Sequence, residues 1–286
     1  MCLGEHLIYL GPAGVPISCE ERTTLAGIEC TAKLKLNALE CEFVRQVGMG
    51  NEMARQVGEL AEKLGVRLSV HCPYFVNLCS QEKEKLKASK KRILDSVERA
   101  HFMHADVAVF HAGFYGKLSH DDALDAIKRA CAEMVDEMVS SGINGVNLGL
   151  ETMGKQSTFG TIGEIISVCR EVKNCMPVVD WAHINCRYLG IFKGQEDYGK
   201  IFEQLAPLKL KHLHTHATCA ECTVAKSGLG NERRHLTLDA KKPDYEPLVK
   251  EILKRKIDIT MISESPVLEQ DALVLKRMFE KYGYRF

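Results

Sequence analysis

The sequence has no surplus of charge of either sign. Its 286 residues hold 38 Lys and Arg against 38 Asp and Glu. A histone-like, wholly electrostatic grip on nucleic acid is thereby excluded, although a local basic patch is not. No run of apolar residues reaches the 18 or so that a membrane-spanning helix needs. The stretch from Met1 to Leu10 carries Glu5 and His6 and lacks the basic-then-apolar pattern of a secretory leader. Pro/Ser-rich linkers and low-complexity segments are missing too. With 45% apolar and 27% charged residues, the composition excludes disordered, collagen-like and coiled-coil chains. A cytoplasmic protein without membrane contact is expected.

Cysteine is not scarce, with twelve in the chain. Most sit singly inside apolar runs, as Cys41, Cys169 and Cys186 do, and read as reduced thiols. Cys219 and Cys222 form a lone C-x-x-C, two ligands short of a tetrahedral metal site. The length fits one α/β barrel domain spanning residues 1–286, since such barrels use about 250 residues as a unit.

Strand-like apolar runs alternate with amphipathic helical stretches. The strand candidates are Leu7–Leu10, Ala38–Val44, Arg67–His71, Val107–His111, Val146–Glu151, Val178–Asp180, Leu210–His214 and Ile257–Glu264. Several are continuous Val/Leu/Ile runs, which suits strands buried on both faces. Helical periodicity marks Glu52–Leu64, Gln81–His104, Asp121–Val139, Ile162–Val172, Tyr198–Leu205, Tyr245–Lys254 and Asp271–Tyr282. Gly65, Gly142 and Gly283 stand where left-handed caps are expected. Strand ends recur about every 39 residues, against roughly 30 or more for one βαβ step. Eight strands with intervening helices predict a single-domain (β/α)8 TIM barrel.

The residues that end the strands carry the chemistry: His71, His111, Glu151, Asp180 with His183 just beyond, His212 with His214 and His216, and Glu264. In such a barrel the carboxyl ends of the strands converge on one face. Buried charges cost several kcal/mol unless paired. A convergence of carboxylates and imidazoles therefore points to a cation. Imidazole and carboxylate without thiolate suit zinc, with manganese or iron as alternatives. Seven or more donors exceed one tetrahedral ion and predict at least two metals, an arrangement that clamps both oxygens of a displacement at phosphorus.

These residues fall in motifs that resemble the endonuclease IV family. They are H-x-x-Y-x-x-N-L at His71, Tyr74, Asn77 and Leu78, F-H-x-G at Phe110–Gly113, L-E-T-x-G at Leu150–Gly154, V-D-x-x-H at Val179–His183, H-L-H at His212–His214 and S-E-S-P at Ser263–Pro266. They keep the family's order over nearly the whole chain. The resemblance implies a metal-dependent DNA-repair endonuclease that hydrolyses the phosphodiester 5′ to abasic sites in duplex DNA, leaving a 3′-hydroxyl. It implies His71, His111 and Glu151 on a first metal, and Glu151, Asp180, His212 and Glu264 on a second. His183 belongs to a third. Glu151 would be the catalytic bridge, with Tyr74 and Asn77 positioning the substrate. His214 and His216 read as supporting or core residues as readily as ligands.

The sequence departs from the family where the third metal takes an Asp-x-His. Here it reads Glu232-Arg233-Arg234-His235. Gapless alignment puts Arg234 at the His, and a guanidinium cannot ligate a metal. Glu232 and a displaced His235 remain, so two tightly held metals and a weak or absent third are expected. A single-metal sugar isomerase or epimerase on the same barrel is the competing reading, since it too uses Glu, Asp, His and Glu. The extra His71, His111 and His183 favour the nuclease. A non-catalytic metal-dependent nucleic-acid binder is the third reading. Candidate phosphate contacts on the loops are Arg45, Lys117, Lys155, Arg187, Lys226, Arg233 and Arg234, with Met49 as a wedge, and the enzyme is expected to act as a monomer.

Overall fold

In the computed structural model, which describes residues 6–286, the alternation resolves into eight parallel strands in a nearly closed barrel. Residues 1–5, half of the stretch read as lacking a leader, lie outside the described residues. The barrel strands are β1 (Ile8–Pro12), β2 (Ala38–Glu42), β3 (Arg67–His71), β4 (Val107–Phe110), β5 (Asn147–Glu151), β6 (Cys175–Asp180), β7 (Leu213–Ala217) and, last in the chain, β10 (Ile259–Ser263). A separate antiparallel hairpin, β8 (Cys219–Val224) and β9 (Gly230–Leu236), lies between β7 and β10 in sequence. The helices are α1 (Thr24–Lys33), α2 (Asn51–Leu64), α3 (Lys83–Phe102), α4 (His120–Ser140), α5 (Ile162–Glu171), α6 (Trp181–Arg187), α7 (Gln195–Leu205), α8 (Glu246–Arg255) and α9 (Glu269–Lys281). The predicted TIM barrel is the observed fold, in one domain.

Local chemistry sets the boundaries. Thr161 caps α5 by accepting from the Glu164 amide, while the Glu164 carboxylate takes the Thr161 amide in return. Ser119 caps α4 in the same manner, accepting from the Asp122 amide. Gly65, Gly142 and Gly283 end or follow helices at φ of 68°, 71° and 93°, the left-handed region expected of them.

The barrel closes between β1 and β2. Asn37 bonds the amide of Leu10 and the carbonyl of Ile8 through its side chain, and Ala13 bridges Glu40. Gly11 makes that seam possible, because a Cβ there would overlap the Ala38 carbonyl. The main apolar core lies between strands and helices, from Ile28, Leu39 and Val70 round to Leu248, Met261 and Leu275. Inside the barrel, Val107, Val109 and Val178 form only a small apolar plug. Glu40, Ser69, His214 and His216 are buried as well.

Three expectations need correction. Strand seven starts three residues later than predicted, at Leu213, because Ala206–Leu208 makes a 3-10 turn and Lys209 a left-handed step before it. The short helices α1 and α6 carry no long periodic pattern and were not anticipated. The β8–β9 hairpin occupies a stretch read as a loop. Among the described residues no helix is long and apolar enough to cross a membrane.

Candidate metal centre

The ends of the barrel strands, together with α6 and the β8–β9 hairpin, bring three groups of donors to one mouth. His71, His111 and Glu151 form one, Glu151, Asp180, His216 and Glu264 a second, and His183, Glu232 and His235 a third, each with one donor atom per residue lying within 4.8 Å of the others. Glu151, at the end of β5, belongs to two groups. Its Oε2 stands 2.9 Å from His111 Nε2 and 3.4 Å from His71 Nε2. Its Oε1 stands 3.1 Å from His183 Nδ1 and 3.3 Å from His216 Nδ1. Asp180 divides its carboxylate: Oδ1 caps α6 by accepting from the His183 amide at 2.7 Å, while the buried Oδ2 has no hydrogen-bond partner among the described residues.

His212 is not in this mouth. It precedes β7 and bonds Thr260 through Nε2 at 2.8 Å. It lines a cavity of about 320 Å³ with Arg67, Asp106 and Asn147, residues at or before the starts of their strands. Residues 212, 214 and 216 have the same parity, so alternation cannot say which one reaches the top. Pairing decides: His216 is level with Asp180, and His214 with Val178.

The third group depends on a β-bulge. Cys222 pairs with Glu232 and Glu221 with Arg234, which leaves Arg233 as an extra residue in β9. In a regular strand Glu232 and Arg234 would share a face. The bulge shifts the parity, so Glu232 and His235 face His183 while Arg234 turns to solvent and binds Glu221 at 2.7 Å. Arg234 therefore does not take the ligand position that gapless alignment gave it.

Burial makes the charges interdependent. Burial alone would push the Glu151 carboxyl up, but the charges of His111 and His216 and the bond from His111 hold it well below the usual range. Burial pushes His71 down, yet Glu42 and Glu151 raise it to about 10. His183 is raised likewise against its burial, by Asp180 first and then Glu151, and His216 by Glu264 first and then Glu40. Asp180 is pushed up to about 6 by burial, with His183 opposing. Without a cation, protons on imidazoles meet the carboxylate charge. Even so, among the described residues Glu151 Oε1, Asp180 Oδ2 and His216 Nδ1 have no hydrogen-bond partner. Orphaned polar atoms facing one another in a buried site fit divalent cations.

Other expected residues have different places. Tyr74 is half exposed, with its ring 5.5 Å from that of His71 and 5.9 Å from that of His111. Asn77 spends its Oδ1 on the amides of Cys79 and Phe114, joining two loops. Arg187 is buried, and its guanidinium holds the carbonyls of Met153, Lys155 and Thr158, so it is no phosphate contact. Met49 packs on the core and is no wedge. Arg45, Lys117, Lys155 and Lys226 are exposed, and Arg233 and Arg234 pair with Glu221. The C-x-x-C does not act as a unit. Cys222 is disulfide-bonded to Cys186, Cys19 to Cys30, and Cys219 is buried and free. These bonds correct the reading of wholly reduced thiols: Cys19 and Cys30 are 11 residues apart and Cys186 and Cys222 are 36 apart, and neither pair is marked by a local motif.

Sequence reasoning missed Glu40 and Glu42. Both lie on β2, and the strand-end rule applied to the other strands would have found Glu42. Burial pushes its carboxyl up to about 8.

The sequence pattern of the xylose isomerase-like TIM barrel family matches residues 28–280. The chain belongs to that family. Among its similar proteins is the "Uncharacterized protein MJ0133" of Methanocaldococcus jannaschii, 32% identical over 97% of this chain and 98% of that one. A "Probable endonuclease 4" of Ureaplasma parvum serovar 3 is 29% identical over 41% of this chain and 39% of its own. Two solved structures share the fold equally well. Endonuclease IV from Thermus thermophilus has a TM-score of 0.67 at 17% identity, covering 95% of this chain and 98% of that one. A D-tagatose 3-epimerase-like protein has a TM-score of 0.67 at 20% identity, covering 95% and 96%.

Proposed function

We propose that this member of the family is a metal-dependent endonuclease that hydrolyses the phosphodiester 5′ to abasic sites in duplex DNA. The observation that carries the reading is the size of the donor set. Three groups meet in one mouth and two of them share Glu151, whereas a one-ion isomerase needs only the second group. The partial sequence match to a probable endonuclease 4 supports it.

His71, His111 and Glu151 would hold one ion, Glu151, Asp180, His216 and Glu264 another, and His183, Glu232 and His235 a third. When bound, zinc, manganese or iron would supply positive charge to the phosphoryl oxygens and a nucleophile from water near neutral pH. The chain's own residues hold and present the substrate. Burial first, and then the Glu42 carboxylate, push the Tyr74 phenol up, so it stays a donor at neutral pH at the rim above His71 and His111. Asn77 acts indirectly, by tying the loop after β3 to the loop after β4. Lys117, Lys155, Lys226 and Arg45 are free to neutralise phosphates, the sequence-independent part of DNA binding. Every donor comes from one chain, so a monomer suffices.

Glu151, Asp180, His216 and Glu264 alone would also serve a one-ion sugar epimerase, and this is the second reading. Metal-replete protein incubated with a labelled duplex bearing one abasic site separates the two. Cleavage on the 5′ side that a chelator abolishes is the expected result. An intact strand together with epimerisation of a ketose would transfer the assignment to the second reading.

A further inference from the structure

The imidazoles in the mouth are not oriented alike. His71 places Nδ1 2.9 Å from the Cys72 carbonyl, His183 2.9 Å from that of Thr152, and His235 3.1 Å from that of Glu264. In each a backbone carbonyl accepts from Nδ1 and Nε2 is the free nitrogen, even though His183 Nδ1 also passes 3.1 Å from Glu151 Oε1. His216 is turned the other way. Its Nδ1 faces Glu151 Oε1 at 3.3 Å and Glu264 Oε1 at 3.4 Å. Its Nε2 points down the barrel, where it meets Glu40 Oε1 at 2.9 Å. The approach is angled away from an ideal hydrogen bond, and among the described residues neither atom has another partner.

Glu40 is fully buried and is itself held from two sides. Ser69 donates to its Oε2 at 2.7 Å, and His214 Nε2 stands 3.0 Å from the same oxygen. We propose that Glu40 is the positioning residue of the second donor group. Its carboxylate takes the Nε2 proton of His216, so the ring is locked with the unprotonated Nδ1 toward Glu151, Asp180 and Glu264. A carboxylate behind a ligating imidazole fixes the tautomer and makes the ring a stronger donor. The inference rests on reading the mouth as a metal centre.

Glu40, His214 and His216 also lie close enough together to suggest an ion of their own. Glu40's other contacts argue against it: Ser69 donates to Oε2 and His214 Nε2 faces the same oxygen, so the lone pairs an ion would claim there are taken.

The test compares wild-type protein with Glu40→Gln, each loaded with Co²⁺ and titrated with a competing chelator. The expected result is a loss of about 10- to 100-fold in affinity for one ion, with a shift of its visible absorption bands. Failure of wild-type protein to bind Co²⁺ would remove the metal-centre reading and this inference together. Wild-type binding with an unchanged affinity and spectrum in Glu40→Gln would overturn the role of Glu40 alone. Loss of one whole equivalent with the remaining bands unchanged would make Glu40 a ligand and overturn it too. Nitrogen-15 NMR of zinc-loaded wild-type protein needs no variant. It should show His216 protonated at Nε2, and the opposite tautomer would refute the inference.

Discussion

His212 and His216 are four residues apart and sit at different levels of the barrel. The sequence offers both as donors, and only strand register separates them. His216→Ala should lose most metal-dependent activity and at least one bound ion, whereas His212→Ala should keep the full metal content, as elemental analysis will show. His212 has its own signature. Burial, with Arg67 and His214 adding repulsion, pushes its pKa down to about 3. The folded protein thus keeps this ring neutral while the unfolded chain protonates it below about pH 6.5. Stability falls as pH drops from about 6.5 toward 3, because the unfolded state then binds more protons. His212→Gln should flatten that part of a urea-midpoint profile against pH; an unchanged slope would assign the loss to other groups. His71, His111, Glu151, Asp180 and Glu264 were legible because each closes or follows a strand whose end the apolar run marks. Arg187 was not, since its three carbonyl partners come from a loop whose path no local pattern encodes.

At the scale of elements, the β8–β9 hairpin decides the third group. Its one-residue bulge compensates an extra residue in E-R-R-H. Metal analysis should find three ions per chain, falling to two in His235→Ala. Deleting Arg233 should leave three, because a regular strand then puts Glu232 and the histidine back on one face. Replacing Arg234 with Ala should change nothing in the metal content. A count of two in the wild type would refute this placement. The hairpin was invisible in the sequence because neither β8 nor the charged β9 carries a clean alternation. The disulfide from Cys186 in α6 to Cys222 in β8 was equally hidden, as its halves are 36 residues apart.

The whole barrel was legible for a simpler reason. Buried parallel strands need continuous apolar runs, and their covering helices need a 3.6-residue stripe, so both periods are written along the chain. Closure is not. It depends on Gly11, whose missing side chain lets β1 approach β2 at Ala38. Gly11→Ala must push the seam apart or displace the Ala38 carbonyl. A loss of about 3 kcal/mol is expected, measurable as a lower urea midpoint with an unchanged slope. Wild-type stability in that variant would show that the seam yields freely.

The polar barrel interior has an evolutionary consequence. Glu40, Ser69, His214 and His216 are buried where TIM barrels usually stack branched aliphatic side chains. Each member is tolerable only because the others are present, and removing one strands a charge or a donor in the dry interior. Substitutions here will therefore be strongly epistatic, with the single changes summing to more than the cost of replacing the members together. A descendant of this protein would leave this constellation by replacing several members together, or would keep it intact.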